Sequence, residues 1–478
     1  MRKRVLLIAA SLTASAALAL PTTSASAAPA KYADDFNGDG YRDLVVAAPD
    51  AVVSGKNEAG AVVVLYGSAS GTVTAKKQLF SQSTSGVPGA AEAYDRFGQS
   101  VATADLDADG YADLLVGAPY EDVTGAQNRG SVTVLWGGSQ GLKGGALLST
   151  PSPSFGGGGC TFGTGLAAAN PKAAPGTARV SVAGWCASRR LAGPFTRTGT
   201  ATASGLEANT PSVEDTLLGD LNGDGRPEIV DISVGLSDHP AGGIYVDPPT
   251  DRIPQPLPTD GDNAAIGDVN GDGYGDLVVG DPADTLIDGT PQAGTGHQGG
   301  QIVIWPGGPT GVDPTAAPIL IHQSTPGVPG SSESDDGFGS DVAVADTNGD
   351  GYADIAVGVP GEALGSKRNA GTVVLIPGGP QGPTGAGSRA ISQDTSGVPG
   401  TAERGDRFGS TVRLVDLNRN DRPELVVGTP GENNSTGGLW VLKGATTGPT
   451  TTGSYSVMGT TVGLPSEHYT NWSSVQAN

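Results

Sequence analysis

The sequence predicts an all-β fold: a seven-bladed β-propeller of four-stranded blades, closed into a ring by its N- and C-terminal segments. Three observations predict it: a short acidic pattern recurs along the chain, short apolar strands flank each copy, and turn-forming residues are abundant. The chain has 478 residues, of which 77 are glycine and 35 are proline. This composition disfavours long helices and favours short strands joined by tight turns.

The recurring pattern is nine residues long and first reads Asp-Phe-Asn-Gly-Asp-Gly-Tyr-Arg-Asp. A degenerate copy without acids lies in the one long gap, where Phe162-Gly163 precedes an apolar stretch at 166–169. Counting that copy gives seven repeats, and regular repetition is typical of rings or solenoids of equal units. The acidic copies lie at 35–43, 105–113, 220–228, 268–276, 346–354 and, more weakly, 416–424.

The repeat that begins at Phe338 is the most complete and shows the strand content of a blade. Alternating or continuous apolar residues predict strands at 341–345, 354–358, 371–376 and 390–392. Four short strands in each of seven repeats correspond to a propeller, in which each blade buries its apolar faces against its neighbours. The first repeat lacks an upstream strand, and we expect residues 455–462 to supply it and close the ring.

The first 27 residues have the pattern of a secretory signal peptide. A basic start is followed by an apolar run at 5–20 and by the small residues Ala25-Ser26-Ala27. The run is shorter than the roughly 20 residues that a membrane span needs. We therefore expect cleavage, secretion without a membrane span, and a mature propeller at 28–478.

Charge and cysteine content narrow the partners and the compartment. The formal net charge of −22 should repel nucleic acids and anionic lipid surfaces and attract cations. The chain has two cysteines, Cys160 and Cys186, and outside the cell we expect them to pair.

The acidic loops predict calcium sites. Oxygen-bearing side chains at positions 1, 3 and 5 can point at one cation, a glycine at position 6 allows a sharp bend, position 7 offers its carbonyl, and position 9 closes the shell. Six or seven oxygens without histidine or cysteine suit Ca²⁺, and we expect five or six ions. The predicted ligands are Asp35, Asn37, Asp39, Tyr41, Asp43, Asp105, Asp107, Asp109, Tyr111, Asp113, Asp220, Asn222, Asp224, Arg226, Glu228, Asp268, Asn270, Asp272, Tyr274, Asp276, Asp346, Asn348, Asp350, Tyr352, Asp354, Asp416, Asn418, Asn420, Arg422 and Glu424.

Two other interpretations of these loops are less consistent with the sequence. An EF-hand needs flanking helices and a glutamate at position 12, whereas position 12 is valine in five loops and Asp231 in the sixth. Asn-Gly and Asp-Gly also form plain turns. Without a metal, however, three or four like charges would repel one another in a single turn.

The repeats resemble FG-GAP repeats, the units of the seven-bladed propeller of integrin α-subunits. Phe97-Gly98, Phe338-Gly339, Phe408-Gly409 and Gly117-Ala118-Pro119, together with the acidic loops, carry this resemblance. It implies calcium loops on the lower face and ligand binding on the upper face, formed by the loops between strands two and three. Here those loops include 50–60, 120–130 and 361–371.

The resemblance predicts a secreted binding or cell-adhesion module for an unidentified extracellular protein or glycan, and we expect a monomer. It also extends to a glycosylphosphatidylinositol-cleaving phospholipase, and the sequence contains no catalytic constellation. A hydrolase or polysaccharide lyase on a propeller scaffold is one alternative, and a carbohydrate-binding lectin is another. Arg404-Gly405-Asp406, a tripeptide that integrins recognise, is interpreted as incidental because its aspartate recurs in sister repeats.

Overall fold

The protein is described here by a computed structural model, and its fold is all-β. The predicted signal peptide and its cleavage site lie outside the described residues. Those are 29–71, 76–123, 125–148, 158–186, 188–208, 212–233, 243–247, 256–283, 286–287, 290–291, 296–464 and 474–475.

Seven sheets follow one another around a ring, as the sequence predicts, and each sheet is one blade. Blade 1 contains β1 Leu44–Ala48, β2 Ala61–Leu65 and β3 Lys77–Phe80; blade 2 contains β4 Val101–Ala104, β5 Asp113–Ala118, β6 Ser131–Trp136 and β7 Lys143–Leu147; blade 3 contains β8 Leu166–Ala169, β9 Arg179–Val182, β10 Ser188–Phe195 and β11 Ala201–Ala208; blade 4 contains β12 Val213–Gly219, β13 Glu228–Ser233 and β14 Gly243–Val246.

The remaining three blades and the minor elements complete the ring. Blade 5 contains β15 Asn263–Gly267, β16 Asp276–Asp281, β19 Gln301–Trp305 and β20 Ile319–Ile321, with a two-stranded excursion of β17 Leu286–Ile287 and β18 Thr290–Pro291; blade 6 contains β21 Val342–Ala345, β22 Asp354–Val359, β23 Thr372–Ile376 and β24 Arg389–Ile391; blade 7 contains β25 Thr411–Val415, β26 Glu424–Thr429, β27 Gly438–Lys443 and β28 Thr450–Met458; the short helices are α1 Glu432–Ser435 and α2 Gly459–Val462, and the last strand is β29 Ser474–Val475.

The ring is closed by the C-terminal segment, although not by the residues that the sequence predicts. Residues 455–458 lie in β28, the outer strand of blade 7, and 459–462 form α2. The missing inner strand of blade 1 is β29, which pairs antiparallel with β1 through Val46 and Ala47. The prediction of 455–462 was therefore wrong, because any short apolar segment fits that pattern and only the path of the chain selects one.

Strand alternation explains why the blades pack into a ring. Along β1, Leu44, Val46 and Ala48 pack with apolar residues of blade 7, while Val45 and Ala47 pack with those of blade 2. Successive side chains of a strand point to opposite faces of its sheet, so each blade is buried on both sides. Similar clusters join blades 2 and 3, 4 and 5, 5 and 6, and 6 and 7.

In the described part of the chain, the joint between blades 3 and 4 carries a buried polar network. Thr216 Oγ1 lies 2.9 Å from Asp231 Oδ1 and 2.8 Å from Ser181 Oγ, and Arg190 of blade 3 approaches the other carboxylate oxygen of Asp231 at 3.8 Å. Asp231 is the position-12 residue that departs from valine in the other loops. Its counter-charge on the neighbouring blade explains the departure, since a buried carboxylate needs a partner.

Cys160 and Cys186 form a disulfide with a Cα–Cα distance of 4.9 Å, as predicted. The bond ties the segment before β8 to the connection between β9 and β10, within blade 3. This blade has lost the acidic loop, so the covalent link supports the repeat that lacks the predicted metal site. Among the described residues, no helix is long and apolar enough to cross a lipid bilayer.

Candidate metal centre

The acidic loops lie on one face of the ring, where each precedes the second strand of its blade. The strands predicted around them are present, so these loops are hairpin connections rather than the interhelical loops of an EF-hand. Six copies therefore occupy equivalent places in blades 1, 2, 4, 5, 6 and 7.

The first aspartate of each loop folds back on the loop backbone. Its Oδ2 accepts the N–H of position 6, at 2.8 Å from Gly40 to Asp35 and at 3.1 Å from Gly110 to Asp105. The other four loops repeat this bond. Positive φ at the glycine of position 6, +85° at Gly40, makes the turn possible because glycine has no Cβ.

Positions 3 and 5 continue the same fold. In loop 35–43, Asn37 Oδ1 accepts the N–H of Asp39 at 2.8 Å, and Asp39 Oδ1 accepts the N–H of Tyr41 at 3.0 Å. The alternating bonds place the oxygens of positions 1, 3 and 5 on the inner side of one turn. In loop 105–113, ligand oxygens of Asp105, Asp107 and Asp109 all lie within 4.8 Å of one another.

The position-9 carboxyl links the loop to the end of the third strand. Asp43 Oδ2 accepts the N–H of Phe36 at 3.0 Å, and its Oδ1 accepts the N–H of Gly67 at 2.9 Å. Burial, together with the charges of Asp35 and Asp39, raises the pKa of Asp43 to about 8. Each carboxylate oxygen has two lone pairs, so an oxygen of Asp43 that accepts one of these hydrogen bonds can still face a cation. A nearby cation would favour the ionised form of Asp43.

Buried oxygens without partners show where a cation fits. Oδ1 of Asp35, Oδ1 of Asp107 and Oδ1 of Asp220 are each shielded from solvent and have no hydrogen-bond partner. A buried carboxylate oxygen without a partner is costly, and a divalent cation within the turn would remove that cost. The donor set is oxygen only, so the residues present fit calcium.

The side chain of position 7 has a role that the sequence did not reveal. The ring of Tyr111 lies against Gly38 at position 4 of the preceding blade's loop, where an added Cβ would be 2.6 Å from Tyr111 Cε1. Tyr352 packs on Gly271 in the same way. Adjacent loops are thus in contact around this face, and the glycine at position 4 is the feature that could have predicted the contact.

Loop 105–113 departs from the others because Asp107 stands where they have asparagine. Blade 3 supplies a compensating cation: Arg197 Nε donates to Asp107 Oδ2 at 2.7 Å, and its terminal nitrogen donates to Asp109 Oδ2. Asn170, in the position of the lost blade-3 loop, also bonds both the N–H and the C=O of Asp105. Sequence reasoning missed these residues, which are distant from the loop along the chain.

The sixth loop keeps the shared shape with fewer charges. Asp416 Oδ2 accepts the N–H of Asp421 at 2.9 Å, and Asn420 Oδ1 accepts the N–H of Arg422 at 2.8 Å. Asn418 donates to Glu424. Two carboxylates remain where the complete loops have three or four.

On the opposite face, the aspartates that sister repeats share have a structural role. Asp406 is 2% exposed, and its Oδ2 accepts the N–H of Glu403 at 2.5 Å. Asp95 and Asp336 are as deeply buried and accept equivalent bonds. The Asp406 carboxylate is therefore occupied within the loop, in agreement with the interpretation of Arg404-Gly405-Asp406 as incidental.

Comparison with known proteins identifies the repeat. The family model of the FG-GAP repeat matches residues 33–65, 97–135, 338–376 and 408–442, in blades 1, 2, 6 and 7. Integrin alpha-8 of Mus musculus is 31% identical over 176 residues, which are 36% of this chain and 14% of the integrin. Phosphatidylinositol-glycan-specific phospholipase D of Bos taurus is 33% identical over 163 residues, 34% of this chain and 18% of that protein.

Among solved structures, the comparison finds the rhamnogalacturonan lyase of Bacillus licheniformis, at 12% identity and a TM-score of 0.39 over 90% of this chain and 75% of the lyase. The fold assignment rests on the strand topology and not on that superposition. The chain spans less than a fifth of the two curated relatives. It carries FG-GAP repeats on a seven-bladed β-propeller, and in these repeats it is similar to integrin α-subunits.

Proposed function

We propose that the protein is secreted after removal of residues 1–27 and acts as a calcium-stabilised extracellular binding or adhesion module. Calcium would neutralise and cross-link the carboxylates of the acidic loops. The ligand groups are those at positions 1, 3, 5, 7 and 9, in five loops. The sixth loop, 416–424, offers two carboxylates and the asparagine oxygens of positions 3 and 5, and is the candidate for a sixth ion.

The difference between the two faces of the ring carries this proposal. The acidic loops share one hydrogen-bonding pattern in six blades. By contrast, the upper connections between the second and third strands vary from 183–187 in blade 3 to 282–300 in blade 5. Uniform loops on a rigid scaffold suit a structural task, and varied loops on the same scaffold suit recognition.

The experiment is a solid-phase binding assay of the purified mature protein on immobilised extracellular-matrix proteins and polysaccharides, with calcium or with EGTA. We expect retention that depends on calcium and no release of saccharide or lipid products. Product release that stops on chelation would instead favour a lyase or hydrolase. If the protein is retained on none of these surfaces in the presence of calcium, the proposal is contradicted.

A further inference from the structure

The upper face has an open cleft of about 480 Å³ between blades 1 and 2, and two of its lining residues depart from the sequence of the repeats in blades 6 and 7. Tyr120 follows Gly117-Ala118-Pro119, where the repeats of blades 6 and 7 have Gly361 and Gly431. Tyr94 stands where the same repeats have Asp335 and Gly405. Both tyrosines line the cleft.

The repeats of blades 6 and 7 show how this place is closed where the residue is glycine. Gly361 N–H donates to Asp336 O at 2.8 Å, and Gly431 N–H donates to Asp406 O at 3.0 Å. A Cβ on either glycine would lie 1.8 Å from a backbone carbonyl of the loop that covers it. Such a distance is sterically impossible, so the covering loop can approach only a glycine.

Tyr120 prevents that closure in blade 2. Among the described backbone bonds none joins Tyr120 N–H to Asp95 O, in agreement with the 1.8 Å clash that a Cβ would meet in the closed arrangement at Gly361 or Gly431. The segment nevertheless retains its local conformation, with φ of +76° at Tyr94 against +69° at Asp335 and +87° at Gly405.

Tyr94 occupies that left-handed conformation at an energetic cost. A bulky residue there is strained, and strain of this kind concentrates at functional sites. The side chain is also 58% exposed, so packing does not repay the cost. Its ring presents an apolar face with a hydroxyl at the edge of the cleft, which suits a partly polar ligand.

Arg96 already occupies part of the acidic and aromatic surface of the cleft that could bind a cation. Arg96 donates to Glu58 Oε2 at 2.8 and 3.0 Å, approaches Asp50 at 3.4 Å, and lies 5.8 Å from the ring centroid of Tyr120. This resident guanidinium already occupies one aromatic face and two carboxylates. A basic peptide would have to displace it.

The remaining groups are an exposed tyrosine ring and polar side chains at the rim. Glu92, Asp122 and Asn128 line the cleft and are exposed. Carboxylate and amide groups of this kind can bond vicinal hydroxyls, while an aromatic face can cover the C–H face of a pyranose. The carboxylates also make the local field negative, which repels acidic ligands. Burial raises the pKa of Glu121, next to Tyr120 in the chain, to about 7, and the charges of Asp95, Glu92 and Asp122 add to that rise.

We propose that the cleft between blades 1 and 2 binds a glycan of neutral or amino sugars, with Tyr94 as the stacking platform and Tyr120 as the residue that keeps the cleft open. This inference rests on the proposed binding function and names its ligand class. Acidic polysaccharides are excluded by the surplus of carboxylates.

The test uses variants that restore the sister sequence, Tyr120→Gly and Tyr94→Gly. Glycine occurs at both equivalent positions of the blade-7 repeat, as Gly405 and Gly431. Both variants should therefore fold, with a melting temperature no lower than that of the parent. Calorimetric titration with cellohexaose, a glucosamine hexamer and a galacturonic acid hexamer measures binding. We expect the parent to bind a neutral or amino hexamer and not the acidic one, and each variant to bind at least about tenfold more weakly, which corresponds to ~1.4 kcal/mol.

Trp185→Ala is the matched control, since Trp185 is 52% exposed and lies elsewhere, in blade 3. Parent-like affinity in both tyrosine variants would overturn the assignment of the cleft, as would preference for the acidic hexamer. Calcium-dependent retention on matrix surfaces without binding of any hexamer would overturn the glycan ligand but leave the proposed function standing. A protein that neither is retained on matrix surfaces in calcium nor binds any hexamer would contradict the proposed function itself.

Discussion

Replacement of Arg197 by glutamine should make the stability of the protein depend more strongly on calcium. Loop 105–113 carries four carboxylates at positions 1, 3, 5 and 9, whereas loops 35–43, 220–228, 268–276 and 346–354 carry three. Arg197 lies on Asp107 and Asp109 and restores the net charge of the other complete loops. Without it, the surplus charge can be offset only by a bound cation.

The size of the effect follows from the exposure of the groups. The side chain of Arg197 is 51% exposed, and that of Asp107 is 9% exposed. Exposed ion pairs contribute roughly 0.2–1 kcal/mol, and hydrogen bonds to charged groups about 1.5–3 kcal/mol. For a half-exposed guanidinium that bonds two carboxylates, we expect a loss of about 1–2 kcal/mol in EGTA. Because calcium would neutralise the same carboxylates, the loss should fall below ~1 kcal/mol in saturating calcium.

The assay is thermal unfolding of the parent, Arg197→Gln, Asp107→Asn and the double variant, each in calcium and in EGTA. The double variant reproduces the asparagine of the other loops and should recover parent-like stability in EGTA. Arg404→Gln, which changes an exposed arginine on the opposite face, controls for net charge. Equal losses with and without calcium would refute the reasoning, as would a double variant no more stable than Arg197→Gln.

Four further predictions concern the ring as a whole. Chelation should lower the melting temperature, since each site contributes about 1.4 kcal/mol at a calcium concentration ten times its dissociation constant; identical melting curves in calcium and in EGTA would contradict structural calcium. Replacing both cysteines by serine should cost about 3.5 kcal/mol of unfolding free energy, because the disulfide closes a loop with a sequence separation of 26; unchanged denaturant midpoints would contradict this. Burial raises the pKa of Asp341 to about 7, so the folded state holds this proton more tightly than the unfolded chain, and the stability should fall as pH rises from ~4 to ~7. The Asp341→Asn variant should flatten this decline of the melting temperature, whereas the control Asp313→Asn should not. Equal slopes in the two variants would refute the assignment to Asp341. Deleting residues 474–478 should lower the melting temperature because it removes β29, whereas deleting 476–478 is the control that keeps this strand; equal melting curves for the two deletions would show that β29 does not stabilise the ring.

Much of the fold could be predicted from local features of the sequence. A strand needs only alternation over a few residues, so the four strands of blade 6 appear in the structure within one or two residues of their predicted positions. The acidic loops are equally local: the bond from Gly40 to Asp35 spans five residues. The pairing of Cys160 with Cys186 needed only the absence of another candidate.

Contacts between blades lay beyond such reasoning. Arg197 lies 90 residues from Asp107, and β29 joins a strand near the other end of the chain. Nothing in the local pattern of either segment specifies its partner. In the sequence Asp231 is only an exception to valine, and its partner Arg190 lies on the neighbouring blade.

The sequence by itself determined the repeating unit, the number of blades and the oxygen-rich turns, because each depends on residues adjacent along the chain. Only the tertiary structure decided which segment closes the ring, which cation compensates Asp107 and where the upper face is open. The cleft shows the reason: glycine or tyrosine at position 120 is equally compatible with its own turn. Whether the cleft is open or closed depends on whether the backbone of the neighbouring loop packs against the Cα of this residue, which leaves no room for a Cβ.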